Sequence, residues 1–465
     1  MDIKWIVFEG EDGLNDPFDD ELNKSKKHKR DDSLVPFKTK TDKNQYIDFS
    51  GVVGAFSRLI SSVAIKKGLN RDTFKTEMRK KLGNDCSDED FEKLFSIVED
   101  MYFDTGKPLP INTKALSYIE SNISQQQVAE YLYSLFVDNT DLIDAYESME
   151  DSEDTNLLEK LVFDSLVDSE ETVTVTGHKA ECFLPYVKDV FSRDYRTLTL
   201  DNNMYQSYIS RFLGYYYLFY VSQLAIKLNK FESAQRDEIE KVYLTLYEEV
   251  VTRVRPGYEY GWKYVKEKIG HMFSHSVLME MLSHNVEGKH MDYLAYFERF
   301  NNAEDDEKVA SEIAAIRNKY IEWIPMDYSG CKHDLAKDGT CRTSNEIRKL
   351  FETIDYQFIN GGRKSHYNGY NKKYIEFVQK NFGKFRGTCG YTLSPHESDV
   401  IMFTKIILLE NGGKIRLSKL FDEFEKRGLL FDRESKKKIT ELFEKMSLLE
   451  KRSDSGDAQY VKYVL

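Results

Sequence analysis

The chain has 465 residues, of which 41% are apolar and 31% charged, with 30 Tyr, 29 Phe and only 8 Pro. That composition excludes a disordered chain, and scarce proline with long periodic stretches points to a mainly helical body divided into two to four domains at roughly 100–200 residues each. A net charge of −13 excludes a protein that is simply a basic coat on nucleic acid, while leaving room for a local basic surface.

Residues 1–49 read as a polar N-terminal arm. The opening MDIKWIVFEGEDG has no basic segment followed by an apolar one, so it is not a secretory signal. Within the arm, Lys24 to Arg30 (KSKKHKR) lies between acids on both sides. It reads as a solvated segment, with a nucleic-acid arm as the alternative. Residues 50–155 form an N-terminal helical domain. Its first helix carries Val52, Val53, Phe56, Leu59, Ile60 and Val63 on one face, and helices follow over Phe91–Met101, Thr113–Ile123, Gln125–Phe136 and Leu142–Ser148. The acidic segment near Asp151–Asp154 closes it.

Residues 156–325 form a central helical domain. Its longest apolar stretch, Phe212 to Leu228, is short for a membrane span and contains Gln223 and Lys227, so a buried core helix over 205–228 is expected and membrane insertion is not. Helices are also expected over Ser233–Arg253, stopped by Arg255-Pro256-Gly257, and over Trp262–His284, Asp292–Phe300 and Val309–Tyr320. Residues 326–395 form a connecting region: a loop over Met326–Thr343, a helix over Ser344–Ile359, then a basic stretch. From Gln357 to Tyr391 there are seven Lys or Arg against one acid. Arg363, Lys364, Lys372, Lys373, Lys384 and Arg386 interleave with Tyr367, Tyr370, Tyr374, Phe377, Phe382 and Phe385. Cations neutralise phosphates and aromatic faces stack on unpaired bases, so this stretch is a candidate nucleic-acid contact. The competing reading is a helix with an aromatic core face and a solvated lysine face.

Residues 396–465 show five elements in order. An apolar helix over Glu397–Glu410 ends at Asn411-Gly412-Gly413, and Lys414–Leu417 is a short strand. A second helix is capped by Ser418 and followed by Gly428. A third, capped by Asp432, places Ile439, Leu442, Phe443 and Met446 at i, i+3, i+4, i+7, and a hairpin joins Leu449–Arg452 to Gln459–Val464. That order is the winged helix-turn-helix, whose third helix enters the major groove. Arg433, Lys436 and Lys437 would meet base edges, and Lys451 and Arg452 on the wing would meet phosphate. The domain is nearly neutral, with 14 bases and 13 acids, so a protein-docking role is the alternative.

No active site assembles from the sequence, and no cofactor is implied. His271 and His275 have the spacing of a zinc-binding pair but lack the glutamate of HExxH. Cys331, His333 and Cys341, with Cys389, could supply four zinc ligands at a spacing unlike ordinary zinc ribbons. The five cysteines are sparse and odd in number, as in a cytoplasmic protein with reduced thiols. Neither a GxxxxGK[ST] loop nor a GxSxG elbow is present. A cryptic metal-dependent nuclease with a degenerate motif is a third reading.

The run from Leu420 to Leu465, above all RSDSGDAQYVK (452–462), resembles the DptG (DndG) family, the G subunit of bacterial DNA phosphorothioation-dependent restriction systems. GVVGAFSRLI (51–60), FLGYYYLFYVSQLAIKL (212–228) and RGTCGYTLS (386–394) are also similar to that family, while the first 50 residues match it least. The resemblance implies a cytoplasmic subunit of an anti-phage complex that attacks DNA lacking the phosphorothioate mark, with the F and H subunits as partners. It brings no catalytic motif with it.

Overall fold

The computed structural model describes residues 28, 30–38, 46–65, 71–83, 86–104, 107–108, 113–137, 140–151, 157–168, 175, 180–283, 292–300, 303–451 and 459–463. Helix α1 (Ser50–Ser61) buries every residue from Gly51 to Ile60. After β1 (Ala64–Ile65) come α2 (Arg71–Leu82), α3 (Asp88–Tyr102), the short hairpin of β2 (Phe103–Asp104) and β3 (Lys107–Pro108), α4 (Ile123–Phe136), α5 (Asp141–Asp151), α6 (Leu157–Leu166) and β4 (Val167–Asp168), which pairs antiparallel with β1. A reciprocal capping box starts α4: Gln125 N donates to Asn122 Oδ1 at 3.0 Å, and Asn122 N donates to Gln125 Oε1 at 2.9 Å. The expected helix over Thr113–Ile123 is instead a 3₁₀ turn, Lys114–Tyr118.

The apolar run of the central region is α8 (Asn202–Leu228), preceded by α7 (Pro185–Leu198). Asp201 caps α8 by accepting from Met204 N, and every residue from Phe212 to Leu228 is buried. Among the described residues no helix is long and apolar enough to cross a membrane. Two buried hydroxyls on α8 reach partners outside the helix: Tyr216 donates to Asp194 at 2.6 Å and Tyr215 to the Arg427 carbonyl at 2.7 Å.

The segment Ser233–Arg253, expected to be helical, is extended and irregular. Tyr243–Leu244 form β5, which pairs in parallel with β9 (Leu430–Phe431), and Thr245 N donates to Leu393 O. Glu240 bonds Lys227 on α8 and Lys230 just past its end. These long-range partners, acting on a β-branched and aromatic sequence, override its amphipathic pattern.

Trp262–His284 is likewise interrupted. A π-helical turn (Tyr258–Trp262) runs into α9 (Lys263–Gly270), the helix is interrupted at His271, and α10 (Met272–Ser283) follows. Next are α11 (Tyr293–Phe300), α12 (Ala303–Trp323), α13 (Arg342–Asn360), α14 (Lys364–Asn381), the hairpin of β6 (Gly383–Phe385) and β7 (Tyr391–Leu393), α15 (Glu397–Glu410), β8 (Lys414–Arg416), α16 (Leu417–Lys426), β9, α17 (Arg433–Lys445), β10 (Leu449–Lys451) and β11 (Gln459–Lys462). The protein is mainly helical.

A single buried cluster reaches from Leu34 to Val461. At its centre Phe136 stacks on Phe191 at 4.2 Å, and Tyr216 meets Phe191 edge-on at 5.0 Å. A smaller cluster built on Phe74, Met78, Phe91, Phe95 and Val162 holds α2, α3 and α6 together. The N-terminal arm is not simply solvated. Leu34, Val35 and Phe37 are each 1% exposed, Asp31 N donates to Ser276 O, and Tyr131 donates to Leu34 O. Most of the Lys24–Arg30 run lies outside the described residues.

Candidate nucleic-acid interface

Most of the local signals in the C-terminal unit are realised in the structure. Gly412 and Gly413, at φ +68° and +85°, turn the chain out of α15 into β8. Helix α16 starts one residue before the expected cap, at Leu417, and Ser418 makes no capping bond because Arg416 holds the N-cap position. Gly428, at φ +74°, turns the chain into β9. Asp432 caps α17 by accepting from Ser435 N at 3.0 Å. Ile439, Leu442 and Phe443 are buried, whereas Met446, expected on the same apolar face, is 45% exposed beyond the last turn. β10, β11 and β8 form an antiparallel sheet in that order, with Leu449 opposite Val461 and Val461 opposite Ile415.

Two ionic clusters bind this unit to the helical body. Arg427, fully buried, donates to both carboxylate oxygens of Asp194 at 2.8 Å, to Glu410 Oε2 at 2.7 Å and to Glu423 Oε2 at 3.0 Å. Burial acts against the charge of Arg427, but Asp194 and Glu410 hold its pKa above the ordinary value. Burial pushes the Glu410 carboxyl up. The second cluster is Arg255, which donates to both oxygens of Asp432, to Ser435 Oγ and to Glu249 Oε2. Arg255 was legible only as part of a helix stop, and Arg427 carried no sequence signal. A buried arginine is recognisable only once its carboxylates, far away in sequence, are placed around it.

The outer face of α17 carries the expected cations in two states. Arg433 and Lys437 are exposed and make no hydrogen bond or ion pair among the described residues. Lys436 instead bonds Glu425 at 2.8 Å and lies over the Phe421 ring, and Lys438 bonds Glu441 at 2.7 Å. Lys451 lies in β10 opposite Gln459. Arg452 falls outside the described residues.

The basic stretch 363–386 divides along α14. Tyr367, Tyr370, Tyr374, Phe377 and Phe382 are between 0% and 7% exposed, so these five rings are core and cannot stack on bases. The reason is periodicity: they recur at helical spacing and pack against α8, α10 and the arm, as Tyr374 does with Tyr217 and Phe37. Lys364 and Lys372 remain exposed without partners among the described residues, and Lys373 pairs with Glu376. Arg363 is turned inward, its guanidinium 2.5 Å from His28 Nδ1, and burial lowers its pKa. Lys384 sits 3.8 Å over the Tyr247 ring. Arg386 is a structural clamp that donates to the carbonyls of Leu246 and Glu249 and to Ser394 Oγ. Both guanidiniums, expected as nucleic-acid contacts, are thus engaged within the fold.

The metal candidates do not converge. Cys331 Sγ lies 3.7 Å from His333 Nδ1, but Cys341 caps α13 by accepting from Ser344 N, and Cys389 faces the Val251 carbonyl. His271 Nδ1 pairs with Asp355 at 3.1 Å, while fully buried His275 bonds Tyr293. Among the described residues no group of three His, Cys, Asp or Glu is arranged to hold a metal ion. No protein-family model matches the chain, and no curated protein matches it in sequence.

Proposed function

We propose that this chain is a non-catalytic DNA-binding and scaffold subunit of a phosphorothioation-dependent restriction complex, cytoplasmic and acting on DNA without the mark. In this reading residues 396–465 are a winged helix, α17 is its groove-facing helix, and Lys451 and Arg452 lie on the wing. The observation that carries it is the pair of cations Arg433 and Lys437 on the outer face of α17, both in solvent and without an ion pair among the described residues, within the order helix, strand, helix, helix, hairpin. Lys364 and Lys372 supply a second electrostatic surface, and the helical body would dock the F and H subunits that the family resemblance implies. The test is duplex binding across a salt series, comparing the wild type with Arg433→Glu/Lys437→Glu. The variant should bind more weakly, with a salt slope lower by about two contacts' worth.

A pure protein adaptor is the second reading. It is favoured by the engagement of Lys436 and Lys438 with Glu425 and Glu441, which neutralises half of the cations along 433–438. It predicts no measurable duplex affinity in the wild type.

A further inference from the structure

The two most exposed large hydrophobic side chains among the described residues are Val254 and Val250, at 91% and 84%. Both lie on the loop Glu249–Gly257, and this loop is fastened at several points. Arg255 Nη1 holds Glu249 Oε2 at 2.6 Å and Val250 O at 3.1 Å. The rest of that guanidinium holds Asp432 and Ser435 at the first turn of α17. Glu249 Oε1 accepts from Leu246 N at 2.9 Å, and the Glu249 carbonyl accepts from Arg386. Folding therefore presents two β-branched apolar groups to water on a loop fastened to the first turn of α17.

We propose that this loop shares the DNA contact of α17, with Val250 and Val254 lying against the apolar edge of a groove. The proposal rests on the DNA-binding reading above and adds a second contacting element to it. Its charge setting fits. Arg253 is exposed and donates to the Thr388 carbonyl, and Arg433 and Lys437 form no ion pair or hydrogen bond among the described residues, with Glu441 near enough to Lys437 to feel its charge. Exposed acids flank the loop and α17 at Glu248, Glu259 and Glu434. Apolar tips among unpaired cations match a polyanion whose grooves offer sugar edges and thymine methyls between phosphates. Because Arg255 ties the loop to α17, a duplex seated on that helix meets the loop without any rearrangement.

The test uses the full chain and a fluorescently labelled duplex, titrated across a salt series. The variants are Val250→Ser/Val254→Ser and, in parallel, Arg433→Glu/Lys437→Glu. Both valines are solvated in the fold, so the serine variant should melt with the wild type. It should bind about ten-fold more weakly, with an unchanged salt slope, because an apolar contact releases no counterions. The charge variant should lose both affinity and slope. Wild-type affinity in the serine variant, alongside weakened binding in the charge variant, overturns the loop contact alone and leaves the valines to a protein partner. Absence of duplex binding by the wild type removes the DNA reading itself, and the loop contact with it.

Discussion

Replacing Arg427 by Met tests the junction between the C-terminal unit and the body. The guanidinium is the principal partner of Asp194, a carboxylate that is itself fully buried. After substitution Asp194 would keep the Tyr216 hydroxyl at 2.6 Å and the more distant Arg193 at 3.7 Å. Glu410 and Glu423 would lose less, because both reach some solvent and Glu423 retains Lys426. Leaving one member of a buried pair uncompensated costs about 3–5 kcal/mol, whereas replacing both members by neutral groups costs much less. Arg427→Met should therefore lower stability by about 4 kcal/mol, read as a shift in the urea midpoint followed by circular dichroism. Arg427→Met combined with Asp194→Asn should recover at least half of that loss. A single variant within about 1 kcal/mol of the wild type, the range of ordinary surface changes, would refute the claim that this cluster holds the unit in place, as would a double variant less stable than the single one.

Other substitutions probe separate parts of the fold. His28 sits among Tyr320, Trp323 and Phe358, and burial and then Arg363 depress its pKa from 6.5 to about 3. Its neutral form is the one the fold accepts, so the stabilisation is complete above pH 6.5 and is lost as pH falls toward 3, by at most about 5 kcal/mol. His28→Gln should flatten that acid limb relative to the wild type in urea unfolding at several pH values, and parallel limbs would contradict it. Asp432→Ala removes both the cap of α17 and a partner of Arg255, and should cost about 2–3 kcal/mol in thermal or urea unfolding; no loss would mean the cap is idle. Gly428→Ala places a Cβ in the left-handed region and against the Phe219 ring, and should cost more than about 1 kcal/mol. Lys364→Glu/Lys372→Glu should leave the melting temperature unchanged and modestly weaken duplex binding, and unchanged binding would remove α14 from the interface.

Local chemistry was legible where a residue acts on its own neighbours. Asp432, Gly428 and the Asn411-Gly412-Gly413 turn are short-range devices, and each occupies the conformation its residue type favours. The core role of Phe212 to Leu228 followed from an apolar run broken by Gln223 and Lys227. Partnerships across the chain were not legible. Ser233–Arg253 has an amphipathic pattern, yet it is drawn into extended structure by Leu430, Phe431 and Leu393. Arg363 and Arg386 look like surface cations, but His28 and the carbonyls of Leu246 and Glu249 claim them. The aromatics of α14 alternated with lysines in a way that suits either base stacking or a core face, and only placement against α8 and the arm decides for the core. Val250, expected near the end of a helix, and Val254, just past it, became conspicuous only when that helix did not form.

The C-terminal unit shares its buried core with the body through Val400, Ile406 and Phe403, so removing it would unfold its surroundings, and charge reversal is the cleaner test. The decisive measurement is duplex affinity of the full chain at low and near-physiological salt, with and without Arg433→Glu/Lys437→Glu. The account predicts salt-dependent binding by the wild type and a weaker, shallower dependence in the variant. Identical affinity and slope in the two proteins, or no binding by either, would contradict it.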